Sequence, residues 1–422
     1  MDKMKDSGIK WIGLIPEGWQ VVSIKSFLQK RKEILEKWTN ENVLSLTMNG
    51  VVIRDLENPS GKMPATFDGY QKIYKGNLVL CLFDIDVTPR CVGIAYDDGV
   101  TSPAYSQYII KEGDLRFYYY LLLMMDNDKI LLQYSRTLRS TLTDEYFGAV
   151  KVAIPKSIIE QKRIAKFLDE KTALIDDIIT DTKQTIEELK SYKQSLISEI
   201  VTKGINKNVK LVPSGIEWIG EVPEEWEVLK SRYFLNEISV KGYPDEEVLS
   251  LYRDYGIIPK NSRSDNHNVT SLDTSGYKLV KPGNLVINKM KAWQGSMAIS
   301  NLRGIVSPAY YTFEVDNERF NLRFLHYALR NPAYKQEYMR ISAGLRVGQW
   351  DLNKNEFKNI KYSFPANKEE QKAIADYLDE KSSQIDALII EKENVISEYE
   401  NYKKSIIYEY VTGKKRVEGY ES

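Results

Sequence analysis

The most regular hydrophobic pattern lies in two stretches, from Pro155 to Val201 and from Pro365 to Val411, with no Gly or Pro between those ends. In the first, Ile164, Leu168, Lys171, Ile175, Ile178, Thr182, Thr185, Leu189, Tyr192 and Leu196 step four then three residues throughout. In the second, Ile374, Leu378, Lys381, Ile385, Leu388, Lys392, Val395, Tyr399, Tyr402 and Ile406 keep the same rhythm. A 3.5-residue period predicts helices that supercoil on a partner. At about 1.5 Å per residue each helix would run on the order of 65 Å. Alone, either would expose an apolar stripe, so the two are expected to pair as an antiparallel coiled coil. Lys171 and Lys381 on the seam would weaken its core and help fix its register.

The rest of the chain, roughly residues 12–155 and 219–365, reads differently. Short runs such as NLVLCLF, VGIAY, NLVIN and GIVSPAYYTFEV, bounded by Gly, Asn and Pro, predict strands. One helix is expected near Leu115–Gln133 and another near Leu322–Tyr338. Each region is expected to fold as a small α+β domain with a curved sheet.

These patterns occur twice because the chain is written twice. SGIKWIGLIPEGW at Ser7 returns as SGIEWIGEVPEEW at Ser214, and VLSL, GNLV and SPAY each recur about 207 residues on. EQKRIAKFLDEK at Glu160 returns as EQKAIADYLDEK at Glu370, and 22 of 51 positions from Ile154 match those from Phe364. The fold class follows: a tandem duplication of a mixed α/β domain plus a long helix. The expected boundaries are residues 1–155 for a first mixed domain and 156–210 for the first helix and linker. A second domain would span 211–365, and the second helix with its tail 366–422.

Composition narrows the function classes. The 422 residues carry 59 Lys plus Arg and 59 Asp plus Glu, so the net charge is zero. A nucleic-acid surface would therefore have to come from local clustering of Lys and Arg. The longest apolar run, Phe117–Met125, is far too short for a membrane span, and the N-terminal MDKMKDSGIKWIG has no apolar signal region. Cys81 and Cys91 suit unremarkable thiols of a reducing cytosol, so a cytoplasmic protein is expected.

Catalytic patterns are missing. His267 and His326 are the only histidines, and no phosphate loop, dinucleotide turn or zinc-protease motif occurs. His326 suits a packing role, and His267 lies in the polar SRSDNHN loop. The carboxylates of the two LDEK stretches suit solvated faces or partner contacts. No catalytic or metal residue is expected. Basic and aromatic residues do cluster in polar loops. Lys289, Lys291, Trp293 and Gln294 lie in KMKAWQGS, and Arg340, Arg346 and Gln349 in RISAGLRVGQW. Lys260 and Arg263 add a loop. The first copy offers Arg54, Arg90, Arg136 and Arg139. Lys and Arg hold phosphates, Arg and Gln pair with base edges, and Trp stacks.

The twin EQK…LDEK helices, the WIGxxPxxW openings, KMKAWQGS and the paired SPAY segments resemble the specificity subunit of type I restriction–modification systems, over essentially the whole chain. The resemblance implies a non-catalytic DNA-binding subunit whose two recognition domains each read half of a split target. It implies partners as well: double-stranded DNA, two methylation subunits docked on the helices, and motor–nuclease subunits joining that complex. S-adenosylmethionine, ATP and Mg²⁺ would then be bound by those partners. A protein-interaction scaffold and a DNA-binding repressor are the competing readings. Two unlike domains in one chain favour the bipartite reader, because a repressor gains its symmetry by homodimerising.

Overall fold

The structure, a computed structural model, describes residues 3–59, 63–135, 140–252, 256–263, 273–346 and 349–417. It forms two compact units: residues Met1–Lys183 with Asn394–Ser422, and residues Gln184–Glu393. Each unit therefore holds one mixed domain, half of the first long helix (Ile158–Lys203) and half of the second (Lys368–Val411).

The mixed domain of the first unit is built on a four-stranded antiparallel sheet, in the order Leu28–Arg31, Ser106–Ile110, Leu78–Leu80, Val92–Ile94. The second unit repeats that order with Leu235–Ile238, Tyr310–Val315, Leu285–Asn288 and Met297–Ile299. Smaller ribbons recur too. Gln71–Ile73 pairs with Gly99–Thr101, as Lys278–Val280 pairs with Gly304–Val306. Gly99 and Gly304 occupy equivalent places in these ribbons for a steric reason. A Cβ would stand 2.3 Å from the Asn42 carbonyl oxygen in one and 2.4 Å from that of Glu247 in the other.

One helix covers each sheet, and both are shorter than expected. Leu115–Asn127 starts on an Asp114 cap and buries Phe117, Tyr118 and Leu121. It stops before Lys129, which turns left-handed at φ 48° and leads into a 3-10 turn, Ile130–Tyr134. The second, Leu322–Arg330, breaks at Asn331–Pro332 and resumes as Lys335–Arg340. Proline has no N–H with which to continue the ladder.

Within each unit the long helices run antiparallel. In the first unit Lys403 Nζ reaches Asp176 at 2.6 Å, and the Phe167 and Tyr410 rings lie 4.4 Å apart. In the second unit Lys193 Nζ reaches Asp386 at 2.7 Å, and Ile200 and Val201 share a core with Ile374, Ala375 and Leu378.

The seam differs from the expected one at alternate positions. Ile164, Leu168, Ile175, Ile374, Leu378, Ile385 and Ile406 are buried, and Leu189 and Leu196 half-buried. The intervening places are shifted one residue towards the C-terminus. Thr172 and Ser382 are buried in place of Lys171 and Lys381, and Ile179 is more deeply buried than Ile178. Leu388 is 44% exposed, while its neighbour Ile389 turns inward, and Val395 is no more than half-buried beside Ile396. Adjacent apolar pairs satisfy either phase of a 3.5-residue period, so spacing alone cannot choose between them. Small hydroxyl residues and the crossing Lys–Asp pairs decide: Thr172 Oγ1 meets the Tyr120 hydroxyl at 3.0 Å, and Lys193 and Lys403 must stand where they can reach Asp386 and Asp176.

Candidate nucleic-acid interface

The loops that could touch a ligand are held on a frame that the chain builds twice. Trp19 Nε1 donates to Glu160 at 2.9 Å, and Trp226 Nε1 donates to Glu370 at 3.1 Å. Gln161 and Gln371 each donate to the carbonyl of the proline six residues before, Pro155 and Pro365, and accept from the backbone N–H of Asp114 and Asn321. Asp169 accepts from Arg116 and from the Tyr120 hydroxyl, and Asp379 from Arg323 and the Tyr327 hydroxyl. This corrects the expectation for Asp169 and Asp379 of the LDEK stretches, whereas Glu170 and Glu380 are exposed. The Glu and Gln of EQK and the Asp of LDEK clamp each mixed domain to the start of its helix, with Gln161 and Gln371 buried.

In the second unit the two basic–aromatic segments come together. Lys289 N donates to the Ala309 carbonyl, and Leu352 N donates to the Lys289 carbonyl at 2.8 Å. The Lys289 ammonium stands 3.5 Å from Asp351. The Trp293 and Trp350 rings lie 5.1 Å apart at 52°, and the buried Trp293 Nε1 has no hydrogen-bond partner among the described residues. Lys291 is exposed, with no ion pair among the described residues, and Gln294 is half-buried beside it. The short Lys335–Arg340 helix packs on this loop. The exposed Arg340 guanidinium is held by two hydrogen bonds to Glu337, which raise its pKa. Lys260 and Arg263 are half-buried on a neighbouring segment, with Arg263 5.6 Å from the Tyr252 ring. The surface thus offers Lys for phosphates, Gln for base edges and indole faces for stacking.

The first unit treats its candidates differently. Arg90 is not a free cation: it is 16% exposed, and its guanidinium is committed to Asp126, which is 2% exposed, and to Asn127. A carboxylate that deep must be paired, and Lys129 and the Cys91 N–H complete its shell. Burial, reinforced by Asp126, pushes the Cys91 thiol up to about 12 and leaves it inert. Arg54 is half-buried at the end of the Gly50–Ile53 strand, next to exposed Val52 and Ile53. Arg136, Arg139 and His267 lie outside the described residues, as do the side chains of Arg346 and Gln349. His326 is half-buried; desolvation, then the Arg330 charge, lower its pKa to about 3, and its Nδ1 accepts from the Ile299 N–H.

Two groups escaped the sequence reading. In the first unit the Arg31 guanidinium lies 3.5 Å over the Tyr74 ring, whose hydroxyl donates to Glu33. In the second, Lys278 and Lys354 flank the Tyr311 ring at 5.8 and 5.5 Å. The signal for the latter was available: aligning the copies sets Lys278 against Gln71.

Comparison with known proteins bears on what such a surface serves. Residues 223–398 match the family described as type I restriction modification DNA specificity domain. The chain is similar to the type I restriction enzyme MjaVIII specificity subunit of Methanocaldococcus jannaschii, at 28% identity over 290 residues, covering 64% of this chain and 63% of that one. It is also similar to the putative MjaX specificity subunit of the same organism, at 25% identity, covering 96% of both chains. Among solved structures, a chain from a study of complex assembly and conformational transition in a type I R-M system superposes with TM-score 0.68 at 14% identity, covering 95% of this chain and 99% of that one. The HsdS subunit from Thermoanaerobacter tengcongensis superposes with TM-score 0.53 at 16% identity, covering 97% of this chain and 100% of that one. Those two likenesses establish the fold, and the sequence matches set a type I restriction modification DNA specificity domain on residues 223–398 and make the chain similar to type I specificity subunits over most of its length.

Proposed function

We propose that this chain is the non-catalytic DNA reader of a type I restriction–modification complex, each recognition domain contacting one half of a bipartite target. The observation that carries the reading is one frame built twice, with the same strand order and the same Trp–Glu clasps, bearing unlike loops. KMKAWQGS stands in one copy where LFDIDVTPR stands in the other. Unlike loops on like frames suit an asymmetric target with an unread spacer, its half-site centres roughly 34 Å apart, about one turn of the duplex.

The helices would dock two methylation subunits, which in turn recruit the motor–nuclease subunits. Tyr192 and Tyr402, at equivalent places 210 residues apart, are 58% and 54% exposed, so each unit offers the same uncovered aromatic once. S-adenosylmethionine, ATP and Mg²⁺ would be held by those partners, and the complex would work in the cytoplasm.

The test exchanges residues 219–365 for the matching domain of another family member, co-expresses the hybrid with its methylation subunit and maps modified adenines. One half of the motif should change while the other persists. A motif that changes in both halves, or in neither, overturns the reading. Native mass spectrometry of the same complex should give two methylation subunits per chain, and a saturated one-to-one complex contradicts the docking model.

A further inference from the structure

We propose that Lys278, with Lys354 on the Tyr311 ring and Lys289 nearby, forms a site in the second recognition domain that clamps one phosphodiester of the DNA backbone. The proposal rests on the DNA-reading function above and adds a contact that no motif announces.

Three observations converge on it. First, the two copies fill the same place with different chemistry. Gln71 is buried, and its side-chain N–H₂ donates to the Ser102 and Tyr105 carbonyls at 3.1 and 2.6 Å, tying down the SPAY turn. Lys278 does the same work in the second copy, its ammonium donating to the Tyr310 carbonyl at 2.5 Å. The tether needs only a neutral donor, as Gln71 demonstrates, so the positive charge at Lys278 is surplus to the fold.

Second, that charge lacks a counter-ion. Lys278 makes no ion pair among the described residues, and its remaining ammonium hydrogens have no protein acceptor there. Burial lowers its pKa. Glu237 opposes that, while the neighbouring charges of Lys354, Lys241 and Lys289 lower it further.

Third, the surroundings are cationic. Lys354 and Lys358 share the single carboxylate of Glu237, and Lys289 leans on Asp351. Lys241, Lys278, Lys289, Lys354 and Lys358 therefore face two carboxylates. Half-buried cations in such surroundings are stabilised by an arriving anion. Lys291, which is exposed, and Trp293 belong to the same loop as Lys289, and Trp293 packs on Trp350 of the Gln349–Leu352 strand, which places the site at the edge of the candidate interface.

The experiment uses the full chain assembled with its methylation subunit and measures binding to a duplex of arbitrary sequence across a salt series. Lys278→Gln restores the first copy's residue and keeps the tether, so thermal stability should hold. The slope of log affinity against log salt should fall by about 0.9, the signature of one lost phosphate contact, whatever the sequence. Lys354→Gln, which leaves Glu237 its pair with Lys358, should lower the slope likewise. An unchanged slope in Lys278→Gln overturns the clamp while leaving the DNA reading intact. A loss confined to sequences that differ at one base pair overturns it too, because Lys278 would then read a base. If the unsubstituted complex binds no duplex, the DNA reading falls. Pyrophosphate binding lost in Lys278→Gln would in that case assign the site to a free phosphate and overturn the DNA clamp.

Discussion

The two recognition domains share strand order, clasps and turns, yet they place their charges in opposite ways. In the first domain Lys30, on the outer strand, pairs with Asp144 at the start of a short helix. In the second the same bridge is reversed, with Glu237 on the strand and Lys354 on the helix. Gln71 becomes Lys278, and the acidic LFDIDVTPR loop becomes KMKAWQGS. The frame tolerates the reversal because an ion pair between partly exposed groups contributes little to stability in either polarity. What changes is the field presented to a ligand. The second domain shows a partner cations that its fold does not need, whereas the first commits Arg90 to its own core and leaves Met48, Val52 and Ile53 exposed on a hairpin. Tandem duplication thus separates two tasks: residues that hold the frame are retained in pairs, and residues that face outward are free to diverge.

The comparison is most severely strained at the helix seam, where both units should respond alike. Ile175 and Ile385 are equivalent, 3% and 5% exposed. Aspartate at either should cost about 3–5 kcal/mol through an unpaired buried charge, read as a loss of thermal stability. Leu388→Asp should stay within about 0.5 kcal/mol, because that side chain faces solvent. Equal losses at Leu388 and Ile385 would restore the other seam phase and undo the register described here.

A smaller effect separates the two domains. Arg90→Ala leaves Asp126 buried with one cation fewer and should destabilise the first domain by about 1–3 kcal/mol in chemical denaturation. Its DNA salt dependence, measured where the protein is folded, should not change. A flattened salt slope with full stability would return Arg90 to the DNA surface.

The smallest expected effect is its mirror image. Lys291→Ala should leave denaturation unchanged and lower the salt slope by about 0.9 in the binding assay. A stability loss with an unaltered slope would show Lys291 to be part of the frame, and the contrast between the domains would disappear.

Much of this molecule is legible in its sequence, for reasons that are local or repetitive. The duplication is read by aligning the chain with itself. The long helices follow from the absence of Gly and Pro and from a 3.5-residue period, which is a property of consecutive residues. Tertiary structure decided what depends on groups distant in sequence. The seam phase rests on Lys193 meeting Asp386 and on Lys403 meeting Asp176, contacts that no spacing rule contains. Arg90 looks like a DNA ligand until Asp126, 36 residues on, takes its guanidinium. Lys278 looks like an ordinary strand lysine until the SPAY turn and the Lys289 and Lys354 segments fold around it. Periodicity reports which face of an element is buried, whereas the state of a charge depends on which opposite charge the fold brings within a few ångströms, and only the folded chain determines that.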